Sequence, residues 1–363
     1  MSDVVIVGLS GGVDSSLTAL LLKEQGYTVI GVSMSIYNSD IPNLKLAGNA
    51  CYGPEEKADI VDIQKFGDKI GIKTYVFDCA DEYKKTILSY FKSEYAAGRT
   101  PNPCVMCNEL MKFGLLNEKA KAEGIKYDYF ATGHYARVKK DEATGRYLLL
   151  KGKDPKKDQS YFLYRLSQDQ LAHVKFPLGE LTKEQVRQMA REKGLSAAEK
   201  PDSQDFYSGD YNDLLQMKPK KGNIMLLNGK VLGTHQGYWN YTIGQRKGLG
   251  IGYPEPLFVL DVDAHKNIVW VGTSADTQKD TCFVADLHWI AFDKDNLPSS
   301  FRATAKQRST AKPAPVTVYI ENNEARVVYD EPQRSFTPGQ SMVFYDGDVV
   351  IGGGIIKKPT AEI

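Results

Sequence analysis

Apolar residues up to about residue 135 follow two alternating patterns. Short unbroken apolar runs predict buried strands, and the segments between them repeat apolar residues at intervals of three and four, which predicts helices with one buried face. In the helix predicted over 54–70, Ile60, Ile63, Phe66 and Ile70 share that face. The predicted strands are 4–8, 28–34, 74–77 and 129–132, and the predicted helices end at 25 and cover 54–70, 81–97 and 108–123.

Alternating strands and helices predict an α/β fold with a doubly wound, mainly parallel sheet. From about residue 223 the pattern changes to short apolar runs separated by turns, which predicts strands. We therefore expect a small β-rich central domain and a C-terminal β-barrel, with domain boundaries at 1–206, 207–280 and 281–363. The predicted strands here are 224–227, 230–232, 258–262, 268–271, 316–320, 326–329 and 341–345.

The junction of the first strand and the first helix, residues 10–15, reads S-G-G-V-D-S. Glycines at such a turn let backbone N–H groups close around an anion, and the positive end of the helix dipole favours a phosphate. The turn lacks the Gly-Lys-Ser/Thr of a Walker loop and the G-x-G-x-x-G of a dinucleotide fingerprint. It resembles instead the PP-loop of the ATP pyrophosphatases, which cleave ATP to AMP and pyrophosphate. A glycine-rich turn without a ligand is the alternative.

Ligands of doubly wound sheets bind at the carboxyl ends of the strands. Four segments of this chain follow predicted strands, namely 10–15, 34–37, Cys79 and 133–134. We expect these four segments to converge on one crevice.

Composition excludes several classes of protein. With 42% hydrophobic and 25% charged residues, the chain is typical of a globular protein, and no apolar run suits a membrane span or a secretory signal, so we expect a cytoplasmic protein. Five cysteines in 363 residues do not suggest a disulfide framework, which leaves reduced thiols for chemistry. The net charge is +1, so contacts to nucleic-acid phosphates would depend on local cation clusters. Such clusters occur at 151–157, 218–221, 246–247 and 306–308.

Cys104 and Cys107 precede the helix predicted from Asn108, and Pro101 and Pro103 constrain the backbone that leads to this helix. The dipole of a helix stabilises a thiolate at its N-terminus, so we expect a lowered thiol pKa and high reactivity. The spacing also occurs in zinc sites and thioredoxin-like dithiols, but the sequence has no second ligand pair for zinc, and the cysteines do not open a βαβ unit. Two buried core cysteines are the remaining alternative.

Several longer sequence strings support a second and more specific resemblance. They are P-N-P-C-V-M-C-N at 101–108, A-T-G-H-Y at 131–135, K-D-Q-S-Y-F-L at 157–163, G-Q-R-K-G-L-G-I-G at 244–252 and T-P-G-Q-S at 337–341. Together with the PP-loop, these strings resemble the MnmA family of tRNA-specific 2-thiouridylases over essentially the whole chain. The resemblance implies a PP-loop domain, a central tRNA-contacting domain and a β-barrel, with sulfur replacing the oxygen at position two of a wobble uridine.

The resemblance also implies roles for individual residues. Cys107 matches the nucleophilic cysteine. Positions that match the ATP site are Gly8, Leu9, Ser10, Gly11, Gly12, Val13, Asp14, Ser15, Met34 and Gly133. Positions that match the stretch facing the target base are Asn102, Pro103 and Cys104, and those that match tRNA contacts are His134, Lys157, Asp158, Gln159, Arg308 and Gln340. Taken singly, each of these tRNA-matching positions is explained better as an ordinary strand-end or surface residue than as a contact to tRNA.

The chain departs from the family pattern at two positions. Many members have an aspartate where this chain has Cys104, and a second essential cysteine where this chain has Tyr207. Two hypotheses follow. In one, Cys104 and Cys107 have different roles: one carries a persulfide, and the other resolves it. In the other, they ligate a 4Fe-4S cluster with Cys51 or Cys79 as third thiolate, since thiolates favour sulfur-rich clusters.

We therefore expect an enzyme that uses ATP and Mg²⁺ to adenylate the uracil oxygen, with Asp14 helping to orient the phosphates, before sulfur held at the cysteine pair attacks. The implied partners are the anticodon-stem region of tRNA and a sulfur donor, such as a cysteine desulfurase or a sulfur-relay protein. Two alternatives are a PP-loop enzyme that adenylates a small molecule, and a tRNA-binding paralogue without sulfur transfer.

Overall fold

The computed structural model describes residues 2–37, 50–202 and 205–358. Two compact units are interleaved along the chain. The first unit comprises Met1–Leu88, Pro103–Leu214 and Asp348–Val350, and the second comprises Ser89–Asn102, Leu215–Gly347 and Ile351–Ile363.

The strands of the first unit are β1 (Val4–Gly8), β2 (Thr28–Ser35), β3 (Lys73–Asp78), β4 (Tyr129–Ala131), β5 (Ala136–Lys140), β6 (Tyr147–Lys151) and β7 (Val174–Lys175). Five of them form a parallel sheet in the order β3-β2-β1-β4-β7. Val5, Ile6 and Val7 have no exposed surface, as expected for the central strand of a sheet covered on both faces. β5 and β6 pair as an antiparallel hairpin.

The helices are α1 (Val13–Glu24), α2 (Glu56–Ile70), α3 (Ala80–Tyr83), α4 (Ser89–Ala96), α5 (Pro103–Met106), α6 (Leu116–Ala122), α7 (Gln168–Ala172), α8 (Lys183–Glu192) and α9 (Tyr211–Leu215). Two further stretches, Lys84–Leu88 and Cys107–Leu115, are π-helical. The predicted buried face of α2 is confirmed in part, because Ile63 is buried beneath the sheet with Phe66 and Ile70 packed against the same core. No helix in the described ranges has the length and apolar composition that crossing a membrane requires.

The second unit contains two antiparallel-rich β-structures. A four-stranded sheet has the order β10-β11-β8-β9, from β8 (Gly222–Leu226), β9 (Val231–His235), β10 (Phe258–Asp263) and β11 (Ile268–Gly272). A six-stranded barrel follows, with β12 (Gln278–Trp289), β13 (Ser300–Lys306), β14 (Ala314–Glu321), β15 (Glu324–Arg334), β16 (Ser341–Asp346) and β17 (Val349–Ile356). Pairing of β12 with β17 closes this barrel.

The predicted fold class is confirmed: a doubly wound parallel sheet is followed by a small β-rich region and a C-terminal β-barrel. The predicted domain boundaries at 206 and 280 stay a prediction. One predicted helix is wrong at its start, because the helical segment that contains Asn108 begins at Pro103. Proline at a first helical position needs no hydrogen-bond partner for its nitrogen, which explains this start.

Candidate active site

The turn between β1 and α1 has the geometry of an anion-binding loop. Gly12 caps α1 without a side-chain hydrogen bond, and Gly11 has a φ of 72°, in the left-handed region that glycine tolerates. The Ser15 hydroxyl accepts from the Ser10 N–H at 3.1 Å and donates to the Gly12 carbonyl at 3.2 Å. Because no side chain caps the helix, its first N–H groups are available to an anionic ligand.

A buried ion-pair network stands behind this turn. The Lys183 ammonium donates to both carboxylate oxygens of Asp14 at 2.8 Å and lies 2.8 Å from an Asp202 oxygen. The Tyr135 hydroxyl also donates to Asp14 at 2.8 Å. Burial alone would raise the pKa of Asp202, but hydrogen bonds from Lys157 and Lys183 hold it below its usual value. Asp14 is therefore fixed in place by a cation and a hydroxyl.

Removing the Lys183 cation should destabilise the protein strongly. In Lys183→Gln, two carboxylates with side-chain exposures of 30% and 24% would face each other across the lost ammonium. Loss of one partner from a buried pair costs about 3 to 5 kcal/mol, so we expect a clear fall in the urea midpoint of unfolding. Arg191→Gln, which removes an exposed pair with Glu199 from the same helix, is the matched control and should change the midpoint little. Equal midpoints for the two variants would contradict the role given to Lys183.

Gly133 lies against the backbone of the anion-binding turn. A Cβ atom at this position would stand 2.8 Å from the Asp14 carbonyl carbon and 2.9 Å from the Ser15 nitrogen. Real side chains do not approach backbone atoms so closely, so only glycine fits here. The predicted ATP-site residue Gly133 thus borders the turn.

One cavity of about 460 Å³ brings most of the predicted site residues together. Its volume is in the range of sites for small molecules and cofactors. The predicted ATP-site residues that line it are Gly8, Leu9, Ser10, Gly12, Val13, Asp14, Ser15, Met34 and Gly133, and the other predicted residues are Cys51, Cys104, Cys107, His134, Lys157 and Gln159. Gly11 is not among the lining residues of this cavity. The expected convergence of 10–15, 34–37 and 133–134 is observed, but Cys79 is buried and is not among the lining residues.

The thiols of Cys104 and Cys107 are half-buried in this cavity. Cys104 lies in α5, and Cys107 begins the π-helical stretch that follows it. Burial raises the pKa of Cys104 to about 12 and that of Cys107 to about 11. The prediction of a lowered pKa is therefore wrong, because the desolvation of a thiolate outweighs the dipole at this position.

A third thiol, that of Cys51, reaches the same cavity from the loop before α2. Its N–H donates to the Asp205 carbonyl at 3.4 Å, and the Tyr52 N–H donates to the Phe206 carbonyl at 2.9 Å. These bonds tie the Cys51 loop to the segment that ends at Tyr207, which also lines the cavity. The Cys51 residue is exposed, unlike the other two. Ser203 and Gln204, which precede Asp205 in the sequence, lie outside the described residues.

The predicted metal set can be tested against this arrangement. Three thiols on one cavity have the chemistry that an iron-sulfur cluster requires. Within ranges 2–37, 50–202 and 205–358, however, no three Cys, His, Asp or Glu side chains are grouped so that they could hold a metal ion. As arranged, Cys51, Cys104 and Cys107 do not form a metal site.

The predicted tRNA-contacting residues divide between the two units. In the first unit, His134 and Gln159 line the cavity, whereas the Asp158 carboxylate accepts from Gly152 and Ser160 in a local turn. Pro103 is buried.

In the second unit, Asn102 is buried, and Gln340 donates to the carbonyls of Thr100 and Pro101 at 3.1 and 2.9 Å. Arg308 donates to the Ile243 carbonyl at 2.8 Å. These residues therefore have internal partners, and their contacts to tRNA stay predictions.

Sequence reasoning missed four residues of the cavity and its wall. The Glu56 carboxylate accepts hydrogen bonds from the Ser35 hydroxyl at 2.8 Å and from the Ile36 N–H at 2.6 Å, which fixes the end of β2. Lys183, Tyr135 and Lys112 lie far from the PP-loop in sequence. Tyr135 ends the A-T-G-H-Y string, but nothing in that string indicates a role for its side chain. Only the position of Glu56 on the first turn of a predicted helix could have pointed to it.

Comparisons with known proteins give a match to each of the three regions of the fold. A sequence profile described as "tRNA methyl transferase HUP domain" matches residues 3–207, a "tRNA methyl transferase PRC-barrel domain" matches 214–273, and an "Aminomethyltransferase beta-barrel domain" matches 279–356. Among solved structures, a 4-thiouridine synthetase–RNA complex with bound ATP is 14% identical, with a TM-score of 0.37, over 59% of this chain and 46% of that one.

Two relatives are similar over nearly the whole chain. The tRNA-specific 2-thiouridylase MnmA of Endomicrobium trichonymphae is 48% identical over 97% of this chain and 98% of its own length. The protein of the same name from Clostridioides difficile is 43% identical over 99% of both chains. With these identities and three matching profiles, the chain belongs to the MnmA family of tRNA-specific 2-thiouridylases.

Proposed function

We propose that this protein is an ATP-dependent sulfurtransferase that converts the wobble uridine of tRNA to 2-thiouridine. One observation carries the proposal: the anion-binding turn of Ser10–Ser15 and the thiols of Cys104 and Cys107 line the same cavity. Adenylation takes place at the uracil O2 and sulfur attacks the adjacent C2, so both groups must reach one carbonyl from one space. The names and near-full-length identity of the relatives support the substrate.

ATP binds with its β- and γ-phosphates on the N–H groups of the turn at residues 10–15, and Met34 and Gly133 border the nucleotide. We place Mg²⁺ at the Asp14 carboxylate, because this cation binds through one or two carboxylates together with substrate phosphates. Mg²⁺ would neutralise phosphate charge as pyrophosphate leaves. Lys183 and Tyr135 keep Asp14 in position for that contact.

Adenylation comes first. The uracil O2 attacks the α-phosphorus of ATP, the bond to the bridging oxygen breaks, and pyrophosphate leaves with the electron pair. A poor leaving oxygen is thereby converted into AMP. The uridine must leave the anticodon stack to reach the cavity, because a stacked base is not accessible to protein groups. Asn102, Pro103, His134, Lys157, Asp158, Gln159, Arg308 and Gln340 are the residues that we assign to the tRNA and its target base.

The sulfur step uses both thiols of the pair. Cys107 carries sulfur as a persulfide, whose terminal sulfur donates an electron pair to C2 of the adenylated uracil. The C2–O bond breaks, and its electron pair leaves with AMP. Cys104 then loses its proton and attacks the Cys107 sulfur, so that the S–S bond breaks toward the uracil and yields 2-thiouracil and a Cys104–Cys107 disulfide. An external thiol reductant restores the two thiols.

The partners follow from this chemistry. tRNA supplies the uridine, and a persulfide-bearing donor, such as a cysteine desulfurase or a sulfur-relay protein, supplies the sulfur. Reduced thiols require a reducing compartment, which favours the cytoplasm. The hypothesis that Cys104, Cys107 and Cys51 hold a 4Fe-4S cluster is tested by an iron assay on protein purified without oxygen.

Pyrophosphate release provides the decisive test. With ATP, Mg²⁺ and unmodified tRNA, we expect release to rise at least about tenfold over release without tRNA, and mass spectrometry of the nucleosides should show 2-thiouridine when a persulfide donor is present. Release that does not depend on tRNA would favour a small-molecule adenylating enzyme. Binding of tRNA with neither pyrophosphate nor 2-thiouridine would favour a binding paralogue. Either result would contradict the proposal.

A further inference from the structure

Lys112 is a cation that lines the cavity, and the proposed reaction steps assign it no role. It lines the same space as Cys51, Cys104 and Cys107. In the part of the chain that the structure describes, no carboxylate lies within ion-pair distance of its ammonium, and its pKa reflects only thiols and burial. A half-buried ammonium without a counter-ion is unfavourable, so this cation is suited to an anion that arrives during the reaction.

The π-helical stretch Cys107–Leu115 determines where Lys112 stands. In an α-helix, a residue five positions on is rotated by about 140° away from the first. In a π-helix, the N–H of residue i+5 bonds to the carbonyl of residue i, so the two residues occupy successive turns. Lys112 therefore follows Cys107 on the same helix face, and Cys104 precedes Cys107 by one turn. Short π-helical segments occur frequently at functional sites.

The electrostatics agree with this placement. Burial alone would lower the pKa of Lys112, but its interactions with Cys107, Cys51 and Cys104 raise it, so the ammonium stays charged. Burial holds the pKa of His134 well below its usual value, and Lys112 lowers it further, so that the imidazole is neutral and adds no second positive charge.

We propose that Lys112 is a positioning residue of the sulfur-transfer step, whose ammonium is the counter-ion of the anionic sulfur carried on Cys107. This inference rests on the proposed sulfur transfer. The ammonium keeps the terminal sulfur inside the cavity, next to the space where the adenylated uracil binds. It takes no part in adenylation, for which the turn at residues 10–15 holds the phosphates and Asp14 would hold Mg²⁺.

The first experiment separates the two half-reactions. In Lys112→Met, we expect single-turnover formation of 2-thiouridine to fall about 100-fold, while tRNA-dependent pyrophosphate release stays within about threefold of wild type. Lys112→Arg keeps a cation and should recover most of the thiolation rate. Lys121→Met, an exposed lysine in the following helix, is the matched control. Thiolation at the wild-type rate in Lys112→Met, or an equal fall in both half-reactions, would overturn the inference.

A second measurement needs neither tRNA nor ATP, and so it distinguishes failure of this inference from failure of the proposed function. Cys107 is alkylated with anionic iodoacetate or neutral iodoacetamide, and the modified peptide is quantified by mass spectrometry. Both reagents need the same thiolate, so the ratio of their rates reports local charge alone. We expect Lys112→Met to lower the iodoacetate-to-iodoacetamide ratio about five- to tenfold, and Lys112→Arg to preserve it. An unchanged ratio in Lys112→Met would overturn the inference even if the wild-type protein does not thiolate tRNA.

Discussion

Cys107→Ala is expected to lower the formation of 2-thiouridine at least about a thousandfold, while ATP binding and tRNA-dependent pyrophosphate release are retained. The reason is that the alanine side chain has no atom that can carry sulfur, whereas the turn at residues 10–15 is formed by other elements. Alanine also fits the half-buried position without a clash. Mass spectrometry of tRNA nucleosides and a pyrophosphate assay on the same samples measure the two effects.

Two cysteine variants sharpen this test. In Cys104→Ala, the reaction should stop after the persulfide has attacked C2. The tRNA should then remain joined to Cys107 through a disulfide, from which a reductant releases 2-thiouridine. Cys79→Ala is the control, because Cys79 is buried at the start of α3 and is not among the residues that line the cavity. Full thiolation by Cys107→Ala, or a loss of activity in Cys79→Ala as large as in Cys107→Ala, would rule out the assigned nucleophile.

The sequence predicted the α/β elements well because their apolar patterns are strong and local. β1 and α2 agree with the structure within a few residues, since each buries one regular set of side chains. The last barrel strand, β17, was missed because Gly352, Gly353 and Gly354 interrupt its apolar run. A Cβ at Gly354 would stand 2.5 Å from the Ala285 carbonyl oxygen in β12. These glycines permit barrel closure, a tertiary requirement that no local pattern reveals.

The parts of the candidate site that form contiguous motifs were predicted from the sequence. The residues that only the tertiary structure brings together were missed. The turn at residues 10–15 is a local structure, and its glycines indicate its geometry directly. Lys183 meets Asp14 only because α8 packs against α1. The thiol pKa values were wrongly predicted for a similar reason, since the helix dipole is visible in sequence, whereas burial of Cys104 and Cys107 depends on the whole cavity.

Gly133→Ala should lower the use of ATP about 100-fold even though it adds a single methyl group. The added Cβ would lie 2.8 Å from the Asp14 carbonyl carbon and 2.9 Å from both the Asp14 Cβ and the Ser15 nitrogen. Backbone atoms cannot move aside as a flexible side chain can, so the turn itself must shift. A displacement of about 1 Å in a positioning element lowers rates about 100-fold, which is the fall we expect in tRNA-dependent pyrophosphate release.

Gly252→Ala is the matched control, because a Cβ at that position meets no atom within 4 Å and its φ is not in the left-handed region. It should release pyrophosphate at the wild-type rate. ATP affinity measured by equilibrium dialysis then separates a displaced turn from a slower chemical step, since the shifted N–H groups of residues 10–15 should bind ATP more weakly. Wild-type ATP affinity in a folded Gly133→Ala variant would show that the turn tolerates the methyl group, and the placement of the phosphates beside Gly133 would then have to be abandoned.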